Sequence, residues 1–82
     1  LNAPNTEETY TILKNLRPSH EQHHGVYISN NNLMLIVYLT EEHMRKRHQP
    51  DKSIITMDAA MAYHVKMHGR GTEVSLESIY YM

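Results

Sequence analysis

The longest apolar run of the chain is residues 33–39, seven hydrophobic side chains in succession. A transmembrane helix needs about 20 such residues, so this run is too short to cross a bilayer. Asparagines precede it and it contains β-branched and aromatic residues, a pattern typical of a strand that is buried on both faces. Exposure of either face would cost about 1.5–3 kcal/mol for each large side chain. The pattern therefore predicts a central strand with cover on both sides.

A shorter β-type segment lies just before this run. Residues 26–29 follow a glycine, and three asparagines at positions 30–32 separate them from the apolar run. Asparagine tolerates left-handed backbone angles and is common in tight turns between strands. The sequence therefore predicts a hairpin in which residues 26–29 pair antiparallel with residues 33–39.

The N-terminal part of the chain carries a helix start signal. Asn5 is a good N-cap, and Glu8 lies three residues later, as in a capping box. Apolar residues follow at helical spacing up to Pro18, which restricts the preceding residue to extended conformations. We predict a helix over residues 6–16, after a disordered lead-in of residues 1–4.

Two further helices are predicted after the central run. Thr40 is a possible N-cap for the first, which continues through the polar and basic residues 43–48. Residues 49–52 then break the chain. Thr56 is a possible N-cap for the next helix, and Gly69 is a typical C-terminal glycine.

The last segment has two interpretations. Residues 72–82 begin with Val74 and Leu76 on one side and polar residues on the other, which favours a strand. The alternative is a helix that places Leu76, Ile79 and Tyr80 on one face. We adopt the strand as the prediction.

The predicted order is α-β-β-α-α-β, a small α+β fold whose antiparallel, hairpin-based sheet has helices on one face. Residues 1–82 are enough for one domain. Such a sheet leaves one face of residues 33–39 uncovered, so a homodimer is expected. The predicted contact residues are Leu35, Val37, Tyr38, Met57, Met61, Tyr80 and Tyr81.

Composition excludes some chemistry. The chain has no cysteine, which rules out disulfides and thiolate sites. Its formal charge of −1 gives no strong overall field toward nucleic acid or a membrane. Without an apolar leader or a membrane-spanning run, the sequence favours a cytoplasmic protein.

Histidine is abundant, with seven residues. His64 and His68 are separated by one helical turn and share a face. A metalloprotease motif needs Glu after the first histidine, and Val65 stands there instead. The candidate metal ligands are His20, His23, His24, His64 and His68. The alternatives are that these imidazoles are ordinary surface groups or that they sense pH.

One basic cluster lies at residues 43–48, without interleaved aromatic residues and next to two glutamates. Basic helix ends can bind phosphates, but they are also common at the C-termini of solvated helices. The candidate nucleic-acid contacts are Arg45, Lys46, Arg47, Lys66 and Arg70.

No nucleophile elbow and no phosphate-binding glycine loop is present. We therefore predict a non-enzymatic regulatory or adaptor protein without a cofactor, which acts through contacts with itself and with another protein. The alternatives are a nucleic-acid-binding regulator and a histidine-based protein that responds to metal or pH.

Overall fold

The computed structural model describes residues 3–81, which form four helices. In the described residues there is no strand, only a single parallel bridge between Tyr27 and Glu73. The predicted α+β fold is therefore wrong. Residues 1 and 2 of the predicted lead-in lie outside the described part of the chain. The helices are α1 (Thr6–His24), α2 (Asn30–His43), α3 (Asp51–His68) and α4 (Leu76–Tyr81).

The central apolar run lies in α2, and the predicted hairpin does not form. Ser29 is the N-cap, and its hydroxyl accepts a hydrogen bond from the Asn32 amide at 3.1 Å. The three asparagines are thus the first helical turn. Buried positions recur at Leu33, Ile36, Val37 and Thr40, which is the spacing of a helix face. An unbroken apolar run fits a buried helix as well as a buried strand, so periodicity could not decide between them.

Helix α1 begins as predicted and ends later. The reciprocal hydrogen bonds between Asn5 and Glu8, at 2.8 and 2.9 Å, confirm the capping box. The helix continues through Pro18. Proline lacks the N–H that would bond to the carbonyl of Lys14, and Lys14 is an exposed residue. The helix ends at Gly25, which has a positive φ of 77° and donates its N–H to the Glu21 carbonyl.

The predicted second helix from Thr40 is wrong, because Thr40 is buried within α2. Its hydroxyl donates to the Ile36 carbonyl at 2.9 Å and lies 2.9 Å from the Ser53 hydroxyl. Gln49 donates to Thr40 at 3.0 Å and accepts from the Ser53 amide at 3.2 Å. These bonds fix the turn after α2 against the start of α3. Helix α3 begins at Asp51, five residues before the predicted cap, and its end at Gly69 is confirmed.

The loops after α1 and after α3 run side by side. The Tyr27 amide donates to the Thr72 carbonyl at 2.9 Å, and the Val74 amide donates to the Tyr27 carbonyl at 2.7 Å. The predicted strand at residues 72–82 is wrong, since Leu76–Tyr81 is helical. The alternative helix was nearer to the observed structure.

The core is shared by all four helices and both loops. Leu33, Ile36 and Val37 are covered by the same chain, whereas Tyr38 is 57% exposed, so the sheet face that motivated the predicted homodimer does not exist. The buried apolar residues are Leu13, Val26, Ile28, Leu33, Ile36, Val37, Met57, Ala60, Met61, Val74 and Ile79.

Candidate functional site

The predicted histidine ligands fall into two separate groups. On α1, His24 Nε2 lies 2.7 Å from Asp58 Oδ1, and His20 Nε2 lies 3.9 Å from the same oxygen. His23 contacts His24 edge to face. His64 and His68 lie together at the end of α3, with ring centroids 4.5 Å apart. Within residues 3–81, no three histidine or carboxylate side chains are arranged to hold a metal ion.

His64 is the centre of a buried polar network. Its Nδ1 lies 2.8 Å from the Ser78 hydroxyl and accepts from the Ser75 amide at 3.4 Å. Its Nε2 lies 3.1 Å from the Thr72 hydroxyl, which already donates to the Gly69 carbonyl. Thr72 must therefore accept, and the proton of a neutral His64 belongs on Nε2.

Burial lowers the pKa of His64, and the nearby His68 lowers it further. Both causes favour the neutral ring that the hydrogen bonds require. The sequence indicated that His64 and His68 share a helix face, but it did not indicate that His64 joins α3 to α4.

The predicted basic contacts do not form one surface. Residues 45–47 are exposed in the turn after α2, and Lys66 is exposed at the end of α3. Arg70 lies in the loop after α3, where its guanidinium occupies the space beside the Gly25 Cα. A side chain at position 25 would displace it.

The predicted interaction residues are divided between core and surface. Val37, Met57 and Met61 are fully buried, so they are unavailable to a partner, and Leu35 is half-buried. Tyr38, Tyr80 and Tyr81 are exposed. An interaction through these exposed tyrosines remains a prediction.

A cleft that the sequence analysis missed lies at the start of α1. Its volume is ≈ 730 Å³, within the range of about 300–1,000 Å³ that is typical of ligand pockets. Ile12 and Pro50 provide apolar walls, and Glu7 and Glu8 are exposed at its edge. Pro50 directly precedes α3. We call this the α1 cleft, and its lining is Ala3, Pro4, Glu7, Glu8, Thr11, Ile12 and Pro50.

These features define a class of protein, namely a four-helix domain with paired interhelix loops and an open cleft at one end. A model of the AAA lid domain matches residues 5–80. The chain therefore belongs to the AAA lid domain family.

The curated relatives are ClpB chaperones. The chaperone protein ClpB of Rhodopseudomonas palustris is 40% identical over 62 residues, which are 76% of this chain and 7% of that protein. ClpB 1 of Synechocystis is 36% identical over 76 residues, or 93% of this chain and 8% of the relative. The chain thus spans less than a tenth of the length of these relatives.

Solved structures of a yeast protein have the same fold. Hsp104 in its closed state with ATPγS and FITC-casein has a TM-score of 0.88 and 28% identity to this chain. The match covers 96% of this chain and 14% of the Hsp104 chain. The S. cerevisiae Hsp104–ADP complex also has a TM-score of 0.88, with 26% identity and the same coverage.

These findings correct the functional predictions. The chain is a lid domain of a chaperone family, so the homodimeric adaptor and the nucleic-acid-binding regulator are wrong. The non-enzymatic assignment is also wrong, since the chain matches part of ClpB and Hsp104, which are ATP-hydrolysing chaperones, although the matched part is only their lid. The partner of Hsp104 in two of its structures is a protein, casein.

None of the helices in residues 3–81 has the length and apolar character needed to cross a membrane.

Proposed function

We propose that this chain is the lid of a longer AAA chaperone and that the α1 cleft faces the bound nucleotide. The observation that carries this proposal is the cleft itself, a concave surface with apolar walls in a chain of the lid family. Hsp104, which has the same fold, has been solved with ADP and with ATPγS.

The chemistry of the cleft favours the base and ribose over the phosphates. Ile12 and Pro50 offer apolar contact to a flat ring. The N-termini of α1 and α3 would attract anions, but Glu7, Glu8 and Asp51 already place carboxylates in their first turns. Carboxylates repel phosphates and accept hydrogen bonds from ribose hydroxyls.

The phosphate-binding part of the site must then come from elsewhere. The sequence has no G-x-x-x-x-G-K-[ST] loop, whose backbone amides and lysine bind phosphates in many ATPases. We assign that part to the rest of a longer protein. By analogy with Hsp104 and casein, that protein would act on polypeptides and assemble with copies of itself. A cytoplasmic location fits this activity.

A chimera tests the proposal. The matching segment of R. palustris ClpB is replaced by this chain, and ATP turnover is measured. We expect the chimera to hydrolyse ATP, and Ile12→Glu to raise the KM for ATP by about tenfold or more, because it places a charge against the base.

Tyr27→Glu is the matched control, since Tyr27 is 58% exposed beyond the opposite end of α1. It should leave the KM unchanged. A KM that is equal in the Ile12→Glu chimera and the parent chimera would contradict the proposal.

A further inference from the structure

A second concave surface lies between α2 and α4. It is an apolar groove of ≈ 310 Å³, whose floor includes the buried Ile79 and the half-buried Leu39 and Met44. Tyr80 forms one edge and is 61% exposed. The volume is sufficient for one or two large apolar side chains of a partner. We call this surface the α2–α4 groove.

A cationic segment continues the groove on one side. Residues 42–47 line a neighbouring depression of ≈ 490 Å³, which shares His43 and Met44 with the groove. Arg45, Lys46 and Arg47 are all exposed there. We call these three residues the basic loop.

The acidic residues nearby do not neutralise the basic loop. Glu41 lies 3.8 Å from the Lys52 ammonium, which belongs to α3. Glu42 is the only carboxylate that lines the depression within the described residues, and its carbonyl accepts from the Arg45 Nε at 3.4 Å. Three cations therefore face one carboxylate beside an apolar groove.

We propose that the α2–α4 groove and the basic loop together bind an acidic amphipathic helix of another polypeptide. Its apolar side chains would enter the groove, with Tyr80 as an aromatic contact of the kind enriched at protein interfaces. Its carboxylates would pair with the basic loop and set its orientation. This site shares no lining residue with the α1 cleft.

Charge also argues against a second copy of this chain as the occupant. A symmetric pair that used the same surface twice would place two basic loops against each other. Like charges in that arrangement repel, so a partner of opposite charge is the better fit.

The test uses the 82-residue chain and fluorescein-labelled peptides in fluorescence polarisation. The probe peptide has leucines at i, i+3 and i+4 spacing and glutamates elsewhere; a second peptide has lysines in place of the glutamates. We expect the acidic peptide to bind at least about tenfold more tightly than the basic one, and its binding to weaken with added salt.

Two variants and a control assign the binding to the surface. Arg45→Glu with Lys46→Glu should weaken binding by about tenfold or more, and Tyr80→Ala by roughly fivefold. Lys14→Glu with Lys66→Glu changes the charge equally at exposed positions on α1 and α3 and should have a much smaller effect. Circular dichroism checks that each variant is folded.

Three results would overturn the proposal. The first is that both peptides bind equally well. The second is that the acidic peptide shows no site-specific binding, either because it binds the wild-type chain and all variants alike or because it does not bind. The third is self-association of the chain that Tyr80→Ala abolishes, which would make a second copy the occupant.

Discussion

The two ends of α3 are held by buried polar networks of different chemistry. At its start, Ser53 and Gln49 bond to the Thr40 hydroxyl of α2. At its end, His64 bonds to Ser78 of α4. The first network consists of hydroxyl and amide groups, which do not titrate, whereas the second centres on an imidazole.

This difference separates the behaviour of the two ends. Pro50, a wall of the α1 cleft, lies between Gln49 and α3, next to a network that contains no titratable group. The attachment of α4 depends on a neutral His64. Acidification should therefore loosen α4 and leave the junction between α2 and α3 intact.

Loss of the Thr40 hydroxyl should have the largest effect. Thr40→Val keeps the shape but leaves the buried Gln49 amide and Ser53 hydroxyl without this partner. We expect a loss of about 2–3 kcal/mol in the free energy of unfolding, equal at pH 5.5 and 7.5. Urea unfolding at both values measures it. Thr11→Val, at an exposed position, is the control, and a cost that changed with pH would contradict the neutral character of this network.

Replacement of His64 should lower the free energy of unfolding by a smaller amount. His64→Gln retains an N–H that can reach Thr72, but it has no ring nitrogen at the Nδ1 position to accept from the Ser78 hydroxyl and the Ser75 amide. We expect a loss of about 1–2 kcal/mol at pH 7.5. Amide hydrogen exchange should show the loss of protection concentrated in α4. Uniform loss across all four helices would show that His64 has no special link to α4.

The pH dependence of stability follows from the lowered pKa of His64, caused by burial and then by His68. In the unfolded chain this ring takes up its proton near pH 6.5, at a higher pH than in the folded protein. Falling pH therefore favours unfolding. The contribution of His64 is complete well above about pH 6.5 and declines below it, by at most ~1.4 kcal/mol per pH unit.

Comparison of the wild-type protein with His64→Gln isolates this contribution, because the other histidines are common to both. The difference between their unfolding free energies should shrink as the pH falls from about 7.5 to 5.5. A difference that stayed constant would mean that His64 is not held neutral by the fold.

Loss of the contact between His24 of α1 and Asp58 of α3 should have the smallest effect on the free energy of unfolding. His24 lies 2.7 Å from Asp58, but the Asp58 side chain is 51% exposed. Pairs that are exposed to solvent contribute little. We expect Asp58→Asn to lower the free energy of unfolding by less than about 1 kcal/mol at pH 6. A larger loss in the same urea assay would make this contact a third structural junction.

Two local signals marked helix ends correctly, the capping box at Asn5 and the glycine at position 69, whereas those at Pro18, Thr40 and Thr56 did not. Asn5 with Glu8, and Gly69, act through neighbouring backbone groups, so their roles can be inferred from a few residues. The run at residues 33–39 has no polar member to show its period. Only the burial of Leu33 and Ile36 against other helices makes the helical face evident.

The candidate sites were harder to predict, because each joins residues that are distant in the sequence. The α1 cleft brings Ile12 to Pro50, and the network of His64 brings it to Ser78. No local spacing indicates either contact. Once residues 33–39 were predicted as a strand, the contacts between helices that form these sites could not be predicted.

The central claim is that the α1 cleft faces the nucleotide, and photo-labelling tests it most directly. The chimera with R. palustris ClpB is irradiated with an azido-adenine analogue of ADP, and the labelled peptides are identified by mass spectrometry. We predict label on this chain at the start of α1, around Ile12, or at Pro50, and competition by unlabelled ADP. Label that is confined to other parts of the chimera, or that lies in the α2–α4 groove, would contradict the account.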